Sequence, residues 1–344
     1  MRRGAAFAFL AGLVLAMSTV VATVVATDAH AQSQPSGERF SNAAVTGGVT
    51  ITRKACAALE AQDTAAWVEV DGRGECLRYY AAGLRPAPGP NPIAAAWMHG
   101  DIMGTKPTSV GHQEGLGVAA MIDQERALAE RFGIPFLFLA RPGAYGSSGR
   151  FWTTRHTPRE AALMNALLDV LKARYGVTEW ALGGHSAGGT LTAEFLARRH
   201  DLRCAVISSG APAYRAYLEA RGLRTLLARP QGWFDPAASL DRIPPDPGRR
   251  VFVIGDPRET NIPFDTQRGY FDALTARGHA GVAGAAGAGA GPAPPQPRGL
   301  RRDRSRPVRV RRRQRPYPGD AQGHAGSTGP HQQLTAGTQE ERLG

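Results

Sequence analysis

The spacing of apolar residues divides this chain into alternating short and long segments. Residues 66–70 and 75–80 are strand-like runs joined by Asp71-Gly72-Arg73-Gly74, a composition suited to a hairpin, and a helix is expected ahead of them over 53–61. Residues 93–98 form a third strand, which stops at His99-Gly100-Asp101. Helical spacing over 121–132 leads to an apolar strand at 135–140 and then to a glycine-rich loop from Arg141 to Gly149. Leu163, Leu167, Leu168 and Leu171 recur at helical spacing within 160–175. Trp180 to Leu182 then reads as a strand end, and Leu191, Phe195 and Leu196 mark a helix over 191–199. A strand at 205–208 precedes an excursion, at about 211–247, rich in Pro, Arg and aromatic residues. A buried strand over 250–254 and a helix over 266–277 resume the pattern. Strands alternating with helices predict an α/β fold, a mostly parallel sheet with helices on both faces. Ligands bind such sheets at the carboxyl ends of the strands, where His99-Gly100-Asp101, the Arg141 loop, Ser186 and Asp256 all fall.

Within this frame the run Gly184-His185-Ser186-Ala187-Gly188 is the chemically specific one. It is a GxSxG sequence between a strand and a helix, the pattern of a nucleophile elbow. Glycine at 184 and 188 leaves no Cβ where strand and helix approach, so the serine can take a strained conformation with its hydroxyl exposed. Acyl transfer through Ser186 further needs a base, an acid to orient it, and donors for the tetrahedral oxyanion. The backbone N–H groups of Ala187 and Asp101 are the expected donors.

Composition sets the surroundings. Arg2 and Arg3 precede an apolar stretch over 5–25, and Ala29-His30-Ala31 supplies small residues where a signal peptidase cuts, so a secretory signal cleaved after Ala31 is expected. The stretch is long enough to span a bilayer, which makes an uncleaved anchor the alternative. Only three lysines occur among abundant arginine and alanine, as in a GC-rich bacterial coding sequence, and a periplasmic or secreted location follows. Three cysteines in an oxidising compartment allow one disulfide and one spare thiol. Cys56 and Cys76, close in sequence, are the expected pair, and two unpaired thiols are the alternative. Net charge is +12, but residues 280–344 hold eleven arginines against four acids, so most of the basicity belongs to the tail.

With these residues in place the chain resembles the α/β-hydrolase superfamily, and within it the bacterial prolyl-oligopeptidase-like and dienelactone-hydrolase-like serine hydrolases. The resemblance rests on the hairpin, HGD at 99–101, RPGxxGSSG at 141–149, GHSAGG at 184–189 and GDPRETNIP at 255–263, in the family's order. It implies an α/β-hydrolase domain over 63–279 behind an N-terminal extension at 32–62. It also implies a serine esterase or peptidase acting on a small ester or peptide substrate, with no cofactor and no metal. The family's acid follows the strand after the excursion. Asp256 stands at that strand end and is slightly preferred, while Glu259 has the family's spacing before Pro263. His99 and His185 read as structural, the latter facing away from the hydroxyl. His112, His156 and His200 precede the acid and do not fit the order Ser, Asp/Glu, His. His279 comes one strand too early, which leaves His324 and His331. Gly115-Leu-Gly-Val-Ala-Ala120 follows no strand, so it does not qualify as a dinucleotide fingerprint, and the Arg141 loop lacks the GK[ST] ending of a phosphate loop.

Residues 280–344 are alanine, glycine, proline and arginine, a composition that cannot bury a core and predicts a disordered tail. A basic arm for nucleic acid or anionic membrane is one reading. A shifted reading frame is preferred: displaced by one base, Pro294-Pro295-Gln296-Pro297 can encode His-His-Ser-Leu where the family places its histidine. If the tail is what the cell makes, the alternative is a hydrolase-fold protein without its catalytic histidine.

Overall fold

Strand β1 (Ala65–Val70) turns back into β2 (Arg73–Ala82) through just two residues, with Val70 opposite Arg73. Asp71 and Gly72 both have positive φ, 52° and 69°, which is the condition for a tight turn whose twist matches that of the strands it joins. The computed structural model describes residues 38–86, 89–102 and 113–285. The signal segment, His112, and the tail from 286 with its two histidines lie outside these residues.

The hairpin joins the sheet by antiparallel pairing of β2 with β4 (Phe136–Leu139). Parallel pairing continues through β3 (Asn91–Met98), β5 (Val177–His185), β6 (Leu202–Ser208), β7 (Arg250–Gly255) and β8 (Gly281–Ala285). The spatial order is β1-β2-β4-β3-β5-β6-β7-β8. The helices are α1 (Asn42–Gly47), α2 (Arg53–Glu60), α3 (Val118–Phe132), α4 (Phe151–Thr154), α5 (Pro158–Tyr175), α6 (Ala187–Leu196), α7 (Tyr214–Ala220) and α8 (Phe264–Ala276). Local chemistry sets the ends of α5: the Thr157 side chain accepts from the Glu160 N–H, Pro158 occupies the first turn, and Gly176 closes the helix at φ 60°.

The strand period of two divides the core. Leu137, Leu139 and Tyr79 pack in one cluster with Leu163, Leu167 and Leu171 of α5, while Phe138, Ala140 and Tyr80 pack in another with Val118, Met121 and Ile122 of α3. Helices therefore cover both faces of a mostly parallel sheet.

Two expected boundaries shift. Residues 38–62 do not form an extension apart from the domain: Phe40 and Val45 are buried in the α3 cluster, and Glu38 pairs with the buried guanidinium of Arg78 at 2.8 Å. A disulfide between Cys56 of α2 and Cys76 of β2, with Cα atoms 5.7 Å apart, ties the same segment to the sheet; closing a loop of this size contributes about 3 kcal/mol. Cys204 is free and half-buried. At the other end the folded unit continues past His279 into β8, which pairs with β7 from Val251↔Gly281 to Gly255↔Ala285. Tail composition hid this strand, because an edge strand is held by main-chain hydrogen bonds and needs few apolar side chains. Glycine fits at 281 because a Cβ there would meet the Phe271 ring at 2.7 Å.

Candidate active site

Ser186 stands between the end of β5 and the start of α6 with φ 54° and ψ −120°, a conformation that costs an L residue on the order of 1–3 kcal/mol. The two flanking glycines are required by contact. A Cβ on Gly184 would lie 2.3 Å from the carbonyl carbon of Gly188, and one on Gly188 would lie 2.1 Å from the Met98 oxygen at the end of β3. This close approach brings His99-Gly100-Asp101 beside the serine: a Cβ on Gly100 would stand 3.0 Å from Ser186 Cβ. The Ser186 N–H donates to the Ser208 carbonyl at 2.8 Å, anchoring the elbow to β6. The N–H groups of Asp101 and Ala187 have no acceptor among the described residues.

Strand β3 ends in a buried ionic cluster. The Asp101 carboxylate accepts from Arg141 Nη1 at 2.9 Å, from His156 Nε2 at 3.0 Å and from Arg155 Nη1. Burial alone would raise the Asp101 pKa, but the charges of His156, Arg141 and Arg155 hold it well below the usual carboxylate range. Arg141 is fully buried and also donates through Nε to Glu160 at 2.8 Å. Its own N–H donates to His99 Nε2 at 3.1 Å, so His99 carries its proton on Nδ1 and gives it to the Gly100 carbonyl at 2.7 Å. Burial, then the Arg141 charge, pushes the His99 pKa down to about 3. His99 is thus neutral and holds the strand end through these two hydrogen bonds.

A cavity of about 820 Å³ opens over Ser186. Its wall brings together Asp101, His156, His185 and Glu259 with Tyr214 and Tyr217 of α7. The structure places the two acidic candidates differently. Asp256 does not line the cavity; it accepts from the Arg258 N–H at 2.9 Å and from the Arg258 guanidinium at 3.0 Å, which lowers its pKa. Glu259, three residues on, reaches the cavity wall, and its carboxylate has no hydrogen-bond partner among the described residues. His185 is exposed on the wall, and His156, set aside on chain order, is placed there by its bond to Asp101 and by stacking on Tyr214 at 5.0 Å. No spacing could have revealed His156, because its position depends on φ 61° at its own backbone and on partners 55 and 58 residues away. His200 is exposed, and His279 precedes β8, at the amino ends of the strands, opposite the cavity.

The excursion divides its aromatic residues between two tasks. Tyr214 and Tyr217 face the cavity, whereas Trp233 donates through Nε1 to the Leu227 carbonyl and Phe234 is buried in the main core. Among the described residues no group of three or more His, Cys, Asp or Glu is placed to hold a metal ion.

Strand order, the antiparallel second strand and the strained serine after β5 agree with one architecture. This chain has the α/β-hydrolase fold. Solved structures to which the chain is similar include the acylaminoacyl peptidase of Pyrococcus horikoshii, at 13% identity over 64% of this chain and 36% of that one, with a TM-score of 0.46. A puromycin hydrolase matches at 18% identity over 64% of this chain and 35% of that one, with a TM-score of 0.46. An esterase of Pyrococcus furiosus matches at 15% over 72% of this chain and 89% of its own, with a TM-score of 0.45. This hydrolase-fold chain spans about a third of the length of the two larger proteins. No protein-family model matches it, and no curated protein matches it in sequence.

Proposed function

We propose that this chain is a secreted serine acyl hydrolase that cleaves an ester or peptide bond through an acyl-enzyme on Ser186. The observation that carries the reading is the positive-φ serine at the foot of the cavity with Gly100 against it. Attack of Ser186 Oγ on an acyl carbon would place a developing negative oxygen between the unpaired N–H groups of Ala187 and Asp101. Donors of this kind contribute on the order of a hundred- to a thousand-fold in turnover. Collapse of this adduct breaks the scissile bond, releases the alcohol or amine with the serine proton and leaves the acyl group on Ser186; water then attacks the acyl-enzyme and releases the carboxylic acid and free Ser186. Glu259 is the acid of this reading in place of Asp256, because the residue lines the cavity and its carboxylate is not held by a guanidinium among the described residues, as Asp256 is by Arg258.

The order nucleophile, acid, base puts the base after Glu259. His279 stands at the wrong end of the sheet, and His324 and His331 lie outside the described residues, so the nucleotide sequence across codons 280–344 tests whether a shifted frame supplies the histidine. A fluorophosphonate probe tests the nucleophile: labelling is expected in the native chain and lost in Ser186→Ala, and labelling that persists in the variant overturns the assignment. Secretion is favoured by the Cys56–Cys76 disulfide, since such bonds persist in oxidising compartments. Amino-terminal sequencing of the exported protein should begin at Gln32.

A further inference from the structure

We infer that the cavity over Ser186 is built for a substrate that carries a carboxylate, bound by Arg221 and Arg229 of the excursion. This rests on the serine-hydrolase reading and adds to it a class of substrate. The charges on and behind the wall do not balance. Arg155 and Arg141 share the Asp101 carboxylate, and Arg141 is balanced further by Glu160. Arg221 and Arg229 both line the cavity, and their hydrogen bonds go only to main-chain carbonyls, Thr260 at 2.7 Å and Arg155 at 3.4 Å. Glu259 is the remaining carboxylate on the wall, so two arginines without an ion-pair partner among the described residues share the cavity with one acid.

The neutral groups beside them are donors as well. Tyr214 and Tyr217 line the same wall, and their hydroxyls make no hydrogen bond among the described residues. Burial raises both, Tyr214 to about 12, so each keeps a proton to donate at neutral pH. Two arginines, Arg221 at the exposed rim and Arg229 half-buried, and two tyrosines lining one cavity suit a carboxylate, which accepts from a planar fork and from O–H groups together. The apolar remainder of the wall, Leu218, Leu226 and Ile262, fits a hydrocarbon body between that carboxylate and the scissile bond.

The carboxylate can belong to the acyl part or to the leaving group, and paired substrates separate the two. p-Nitrophenyl glutarate is compared with p-nitrophenyl butyrate, and 4-carboxyphenyl butyrate with phenyl butyrate, in the full chain and in Arg221→Gln and Arg229→Gln. In one pair the ratio of kcat/KM, anionic over neutral, should fall by about tenfold or more in either variant, as expected for loss of a charge-assisted bond. Ratios unchanged in both variants would overturn the inference. If no ester turns over and the fluorophosphonate leaves Ser186 unlabelled, the hydrolase reading fails while the subsite is still decided by binding. Calorimetry with Ser186→Ala should show 3-phenylpropionate binding at least about tenfold tighter than its amide, with the difference lost on adding Arg229→Gln. Equal binding of acid and amide would overturn the inference. Thermal unfolding of each variant confirms that it folds.

Discussion

His156 Nε2 lies 3.0 Å from Asp101 Oδ2, joining the loop before α5 to the strand end that borders Ser186. Because Arg141 and Arg155 use the same carboxylate, Asp101→Asn should leave the half-buried Arg155 without an ion-pair partner and Arg141 with Glu160 alone, destabilising the fold by about 3 kcal/mol at neutral pH. An unfolded aspartate titrates near pH 4 and the folded one well below it, so the ionised cluster contributes fully above about pH 4. The contribution is lost as pH falls through the folded value. Denaturant melts from pH 7 to 2 should show the native chain and the variant converging below about pH 4, and a gap that stays constant to pH 2 would refute this account.

Strain at Ser186 gives a second expectation. At φ 54° and ψ −120° glycine escapes the steric cost that alanine keeps. Ser186→Gly should therefore be more stable than Ser186→Ala by roughly 1 kcal/mol, although neither can form an acyl-enzyme. Differential scanning calorimetry of the two variants is the check, and equal midpoints would mean the elbow is relaxed.

The two acidic candidates respond differently if their placement governs function. Glu259→Gln should lower kcat toward p-nitrophenyl butyrate by about a thousand- to ten-thousand-fold with KM little changed, as for loss of a triad acid. Asp256→Asn, which disturbs only the exposed pair with Arg258, should leave kcat within about twofold. The reverse pattern would return the role to Asp256.

Edge strand β8 is the fourth test. Truncation after Ala285 keeps its pairing with β7, whereas truncation after His279 removes it. The shorter form should lose on the order of 2 kcal/mol or more, since several main-chain hydrogen bonds at about 1 kcal/mol each disappear. Urea melts of the two truncated chains measure the difference, and identical midpoints would mean that β8 adds nothing to the sheet.

Elements were readable wherever a local period dictated them. The Asp71-Gly72 turn, the leucines of α5 and the GxSxG elbow each depend on residues within a few positions of one another, and chain order then placed Ser186 at a strand end. The candidate site was legible only in part. Asp256 and Glu259 are three residues apart and similar in chemistry, and the difference between them is the guanidinium of Arg258 on one and the cavity beside the other. His156 was passed over because chain order knows nothing of the fold that carries it to Asp101.

By itself, then, the sequence determined the alternation of strands and helices, the strained serine and the proximity of Cys56 to Cys76, because periodicity, glycine and turn chemistry act over short stretches of chain. Tertiary structure alone decided that residues 38–62 pack onto the sheet domain through Phe40, Val45 and Cys56 and that Gly281–Ala285 completes the sheet. It alone also gathered Asp101, His156, Glu259 and the two arginines around Ser186. Those relationships span tens to more than a hundred residues, and they arise from packing, burial and charge balance in three dimensions, which no local pattern encodes.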